Sequence, residues 1–148
     1  MAEVSFRIAR PEDRARIHAV VHRYAFNGRE GVDIADMLPL FTDDAVAILP
    51  NGARVPIQKL SEVLQGEEAK YIRHHITTID IQFASDTEAR VESQFFAITN
   101  EASPDHWGSW RDSFLKSNDG SWKINERYIV VDGGSPEGWF VRMYGPGA

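Results

Sequence analysis

Between residues 72 and 132 the chain carries four consecutive segments dense in β-branched and aromatic side chains, at 72–83, 88–99, 107–117 and 121–132. Only short polar stretches part them: "SDT" after the first, "EASPDH" after the second and "NDG" after the third. Connections this short join antiparallel neighbours, because a parallel pair needs a crossover of a dozen or more residues. The Asn-Asp-Gly stretch is itself a hairpin signal. This part of the chain is therefore expected to form an antiparallel meander, and everything else must pack on it.

What precedes the meander reads as mainly helical. Residues 11–28 are expected to form a helix, with Pro11 in the first turn and Glu12 and Asp13 at the positive end of its dipole. Ile17, Val20, Val21, Tyr24 and Ala25 repeat at helical spacing, and Gly28 is a stop. Asp33 can cap a second, short helix over 34–41, whose stripe is Ile34, Met37, Leu38 and Phe41. "AVAIL" (45–49) reads as a short strand, ended by the turn signal Pro50-Asn51-Gly52. A third helix is expected from Pro56, with Ile57, Leu60 and Leu64 on one side. Helices first and long antiparallel strands after them give an α+β class, with residues 1–148 as one domain. The tail "GGSPEGWFVRMYGPGA" carries Trp139, Phe140, Val141, Met143 and Tyr144. That is too apolar for a disordered end, so it is expected to dock on a cavity mouth or a neighbouring subunit.

Composition narrows the partners. A chain of 148 residues buries roughly 68–70% of its unfolded surface and needs no covalent staples. It has no cysteine, which rules out disulfides and thiolate zinc sites. The formal net charge is −6 with no long basic cluster, so nucleic acid is not an expected partner. No apolar run approaches the roughly 20 residues that span a bilayer, and the N-terminus lacks a secretory h-region. A cytoplasmic protein without a membrane partner is the expectation.

The stretch "RHHITTIDIQF" (73–83) holds adjacent histidines, His74 and His75, which must point to opposite faces of a strand. Under strict alternation Ile72, His74, Ile76 and Thr78 share one face, and Arg73, His75, Thr77, Ile79, Ile81 and Phe83 the other. A bulge would change that parity downstream. Histidine is the side chain best suited to proton transfer near neutral pH. Tyr24 lies on the buried stripe of the first helix, where its phenol needs a partner: a backbone carbonyl, or a substrate carbonyl that it polarises. Glu30 and Asp33 read as loop and cap residues. In "DHWGSWRD" (105–112), Trp107, Ser109 and Arg111 share a face, and His106, Trp110 and Asp112 share the other. An Arg–Asp surface pair is expected there, with Asp105 and His106 at a sheet end. His18 and His22 stand four apart on the first helix but lack an intervening Glu and a third ligand, so no metal site is expected. There is no GxGxxG, P-loop or GxSxG motif.

Taken in order, "IHAVVHRYAFNGRE…LPLFTDDAVAILPNG", "RHHITTIDI" and "FFAITNEASPDHWGSWRDSFLKSNDGSWKINERYIVVDG" resemble the SnoaL-like members of the nuclear transport factor two-like superfamily. The resemblance spans roughly residues 11 to 134. It implies a cone, in which a strongly bent mixed sheet wraps around helices and encloses a pocket. It also implies kinship with scytalone dehydratase, the bile acid dehydratase and the lindane dehydrochlorinase. These cofactor-free lyases use a strand histidine as base, a carboxylate after the first helix to orient it, and often a helix tyrosine.

Matched residue by residue, the resemblance puts the base on His74, with Thr78 at the small polar position, and the helix tyrosine on Tyr24. Counting five on from Tyr24 gives Arg29 and counting back thirteen from Asp43 gives Glu30, so the loop is one residue longer than the pattern. Glu30 is the acidic candidate. The second acid/base of the dehydratases falls near Ala97, which has no such group. Ile72, Ile76, Phe95 and Ala97 are expected to line the pocket. The implied function is a cofactor-independent, dehydratase-like lyase or isomerase acting on a small, mostly apolar cyclic compound, in a homodimer formed through the open sheet face. The alternatives are a non-catalytic small-molecule binding protein of the same fold, and a protein-interaction module with a filled cone.

Overall fold

In a computed structural model, residues 10–63 and 68–146 are described. Helix α1 (Pro11–Asn27) is followed by α2 (Ile34–Met37), a 3-10 turn (Leu38–Leu40), β1 (Phe41–Ile48) and β2 (Arg54–Pro56). A second 3-10 turn (Ile57–Lys59) leads into α3 (Leu60–Val63). Then come β3 (Ile72–Phe83), β4 (Glu88–Thr99), β5 (His106–Lys116), β6 (Trp122–Gly134) and α4 (Trp139–Tyr144). The strands form one curled, unclosed sheet in the order β2-β1-β6-β5-β4-β3. The meander β3–β6 is antiparallel throughout, and β1 joins β6 in parallel, which makes the sheet mixed.

Helix α1 forms as its pattern dictates. Pro11 opens it, the Gly28 amide closes it on the Tyr24 carbonyl at 2.8 Å, and Ile17, Val21, Tyr24 and Ala25 are its buried stripe. Asp13 ties the helix to the sheet, accepting from Trp122 Nε1 and pairing with Lys116, each at 2.9 Å. The core then joins that stripe to Phe41, Val91, Phe95, Trp110, Phe114 and Ile124.

Three expectations need correcting. The second helix is cut short: Pro39 sits in a 3-10 turn, and Phe41 begins β1 as a buried strand residue. β1 therefore starts four residues before the expected 45–49. The third helix is a 3-10 turn plus one α turn; Ile57 and Leu60 are buried, and Leu64 lies outside the described residues.

The third correction is parity. Between β3 and β4 the register slips at Thr77: Ile76 faces Phe95, but Thr78 faces Gln94. Ile72, His74 and Ile76 before the slip and Ile79, Ile81 and Phe83 after it thus share the inner face. Thr78 is exposed on the outer face, not beside His74. A similar slip against β5 leaves Asn125 of β6 unpaired and turns Arg127 inward. Bulges of this kind let a sheet bend sharply. Gly108 serves the same bend, since a Cβ there would fall 1.9 Å from the Val130 carbonyl oxygen.

Among the described residues no helix is long and apolar enough to cross a membrane.

Candidate active site

His74 sits on β3, the edge strand, with its ring on the inner face. Its Nδ1 lies 2.8 Å from the Gly28 carbonyl oxygen at the end of α1. A carbonyl can only accept, so Nδ1 carries the hydrogen and Nε2 keeps the lone pair. Gly28 also sets the ring's position, because a Cβ there would stand 3.3 Å from Nδ1. Burial pushes the His74 pKa down to about 4 against the pull of the carbonyl, and the charges of His106 and Arg127 push the same way. His74 is therefore a neutral imidazole at physiological pH. His75 points out, exposed and stacked on Phe96 at 5.0 Å.

Glu30 does not reach His74. Its carboxylate accepts the Ile72 amide at 2.9 Å and pairs with Arg73 at 2.8 Å. Burial opposes its charge, but those two donors outweigh it and hold its pKa below the ordinary value. The reason is alternation: a carboxylate arriving from the loop meets the guanidinium of position 73, one residue short of the imidazole. The expected carboxylate–histidine dyad is thus replaced at His74 by a backbone carbonyl.

A carboxylate–histidine dyad does exist, two strands away. His106 opens β5, and its Nδ1 lies 2.8 Å from Asp105 Oδ1. Asp105 is fully buried and also accepts from Thr99 Oγ1 (2.8 Å) and from the amides of Trp139 (2.6 Å) and Phe140 (3.1 Å). Burial works against that carboxylate, but its donors prevail and keep its pKa low. Burial lowers the His106 pKa, and Asp105 partly restores it. The tail docks as an apolar segment, but onto the end of its own sheet rather than at the mouth of the cleft: α4 is anchored by Asp105, and Phe140 stacks on the His106 ring at 4.7 Å.

The two imidazoles belong to one row. His74 pairs with Ala97, and Ala97 pairs with His106 across β4. With only a methyl between them, the rings stand 6.0 Å apart, edge to face. The position that lacks an acid/base is thus flanked by one on each side. Phe95 and Trp110 complete the wall, each 5.7 Å from His74 and stacked on one another at 4.9 Å. Of the expected lining residues, Ile76 borders the open cleft beside His74; Phe95 and Ala97 are buried and do not line it, and Ile72 shares the inner face and is tied to Glu30.

Tyr24 is buried, as expected, but beneath a residue that sequence reasoning passed over. Arg127 stacks 3.9 Å from the Tyr24 ring and 4.4 Å from that of Trp110. It also makes a two-pronged pair with Asp112, Nε to Oδ1 at 2.8 Å and Nη2 to Oδ2 at 2.7 Å. Both are buried, and Asp112 outweighs desolvation to keep Arg127 charged. This corrects the surface Arg–Asp pair: Arg111 meets Glu92 outside instead. Arg127 Nη1 is buried with no partner among the described residues.

An open cleft of about 930 Å³ lies between the C-terminal half of α1 and the start of β3, with His74 among its walls. His75 borders it as well, because β3 is an edge strand and the cleft wraps around it. Among the described residues no group of three His, Cys, Asp or Glu side chains is placed to hold a metal ion.

This arrangement can be set beside known proteins. The model of the SnoaL-like domain matches residues 9–128. The chain belongs to the SnoaL-like family. A hexachlorocyclohexane dehydrochlorinase, LinA type 2, superposes with a TM-score of 0.72 at 11% identity, over 84% of this chain and 88% of that one. ActVI-ORFA from Streptomyces coelicolor does so with a TM-score of 0.64 at 16% identity, over 80% and 96%. A protein of Novosphingobium aromaticivorans that carries the name of scytalone dehydratase gives 0.63 at 22% identity, over 82% and 83%. No curated protein sequence is similar enough to register as a relative. At these identities the three structures show a shared fold.

Only part of the site was within reach of sequence reasoning. Asp105 and His106 could be placed at a sheet end, but nothing local paired them with each other or set them across from His74. Arg127 left no signal, because the Asn125 bulge alone turns it inward.

Proposed function

We propose that this SnoaL-like protein is a cofactor-independent lyase or isomerase acting on a small, mostly apolar cyclic compound, with loss of water as its reaction. The observation that carries this is the pair of imidazoles 6.0 Å apart across Ala97, each with Nδ1 engaged and Nε2 left for chemistry. His74, kept neutral by burial, removes the proton next to a substrate carbonyl. The freed electron pair forms the double bond as the carbon–oxygen bond to the leaving hydroxyl breaks. The proton passes through His106, whose cation Asp105 stabilises, to the departing hydroxide, so water leaves and the pair ends as it began. A developing oxyanion that penetrates past His74 would meet the buried, unpartnered Nη1 of Arg127, a guanidinium that Tyr24 supports from below.

A panel of β-hydroxylated cyclic ketones, followed by the ultraviolet absorbance of the conjugated product, tests this. Turnover should fall by about 10²–10⁴ in His74→Ala, the range of a lost general base, and survive in His75→Ala. The reverse pattern would sink the assignment. A non-catalytic binding protein is the second reading, favoured by the missing carboxylate at His74. It gains if ring compounds bind but no product forms.

The homodimer finds support on the outer face. His75, Phe96 and Trp107 form a row there, Trp107 and Tyr128 are exposed, and a second copy would cover them. Light scattering that finds a monomer would remove it.

A further inference from the structure

The cleft that opens on His74 has a charge opposite to that of the molecule. The chain has 22 Asp and Glu against 16 Lys and Arg. Yet the described cleft walls hold Arg23, Arg29, Arg73 and three of the five histidines, and no carboxylate. Arg73 is neutralised by Glu30. Arg23 and Arg29 are not: neither has an ion-pair partner among the described residues, and each lies over the Phe26 ring, at 5.8 and 5.0 Å. Phe26 is 59% exposed, and Tyr71 on the facing wall is 42% exposed. Helix α1 ends here, and its dipole alone would repel an anion. The two arginines reverse that sign, while the exposed parts of the two aromatic rings offer apolar surface to an unsaturated ring. A cleft of about 930 Å³ suits a small molecule rather than a polymer.

We propose that this cleft selects an anionic ring compound, a carboxylate in the first instance. Its charge rests between Arg23 and Arg29, its ring lies along Phe26 and Tyr71, and its far side is directed towards His74. This deepens the lyase reading and rests on it for the site of chemistry: the compound is apolar where it reacts and charged only at the mouth. Exposed guanidinium–carboxylate contacts are modest one by one, so selectivity comes from two acting together.

Calorimetric titration with 2-naphthoate and its neutral isostere 2-naphthamide tests the charge directly. The folded protein should bind the carboxylate roughly tenfold more tightly, as two charge-assisted contacts predict. That preference should fade in about 1 M NaCl, where the screening length is about 3 Å. Arg23→Gln/Arg29→Gln should erase the preference while leaving the amide's affinity unchanged, and circular dichroism should show the fold intact. The His74→Ala variant should keep the preference, which separates binding from chemistry. Equal affinity for the two probes, no binding of the carboxylate, or a preference that survives the double substitution overturns the proposal. If neutral cyclic ketones are dehydrated while the preference is absent, the charge inference alone fails. If the preference holds and no ring compound is turned over, the lyase reading alone fails.

Discussion

His74 and His106 stand on the same inner row of the sheet, and their surroundings differ in partner and in exposure. His74 is held by a backbone carbonyl, a dipole with no net charge, at the edge of the sheet beside an open cleft. His106 is held by a buried carboxylate under the C-terminal helix. A dipole fixes a tautomer but does little for the imidazolium; a carboxylate does both. Burial drives His74 down to about 4 against the pull of its carbonyl, and it lowers His106 too, where Asp105 restores part of the loss. In the proposed reaction these different partners suit two identical side chains to different parts, His74 as proton acceptor and His106 as proton store. Asp105 makes the second role structural too, since one carboxylate orients His106 and anchors α4.

That contrast can be broken most forcefully at Asp105. Replacing it by Ala strands the Thr99 hydroxyl, His106 Nδ1 and two α4 amides, and should cost about 3–5 kcal/mol, the scale for breaking a buried charged network. Urea denaturation measures this. An unchanged midpoint would mean that Asp105 anchors nothing. The Gly28 carbonyl cannot be deleted in the same way, so the His74 side is the more robust of the two.

Acidity sharpens the comparison next. His74 titrates lower folded than unfolded, so between about pH 6.5 and about pH 4 the unfolded chain binds the extra proton. Stability should therefore fall as pH drops through that window, and this term should be constant above it. Nuclear magnetic resonance of the ring protons should place the His74 midpoint near 4 and that of His106 below the ordinary imidazole value. A His74 midpoint at the ordinary value would show that burial does not keep it neutral.

Gly28→Ala is a smaller perturbation. Its φ of −72° suits any residue, so the strain is the 3.3 Å approach of the new Cβ to His74 Nδ1 and, equally close, to the Tyr24 carbonyl oxygen. Turnover should drop a few-fold, with less than about 1 kcal/mol lost in stability. An unaltered rate would show that the carbonyl does not position the base. The smallest effect is expected at Glu30→Gln. It removes a partly exposed pair with Arg73, worth roughly 0–1 kcal/mol. Turnover should stay within about twofold, since a residue that touches no reacting atom supplies no transition-state binding. A collapse in rate would restore the dyad on His74.

Much of this was legible beforehand. The stripe of α1, the turn signals and the Gly28 stop are local features, and the elements they imply form where expected. His74 could be matched through "RHHIT", but the supporting match at Thr78 does not hold, because the bulge at Thr77 turns it outward. Glu30 was chosen by counting along the loop, and counting cannot see that Arg73 intercepts it.

By itself the amino-acid order determined the classes of element, their sequence, the antiparallel meander and the family. Periodicity and turn chemistry act over a few residues, so they can be read from a string. The site was decided only by the tertiary structure. Bulges at Thr77, Asn125 and Asp132 reset which side chains face inward, and the pairing of β4 with both β3 and β5 set His74 and His106 on either side of the single methyl of Ala97. The bend that demands those bulges comes from wrapping the sheet around α1. Their positions are a property of the packed molecule, and so is the choice of carbonyl for His74, carboxylate for His106 and guanidinium for the buried floor.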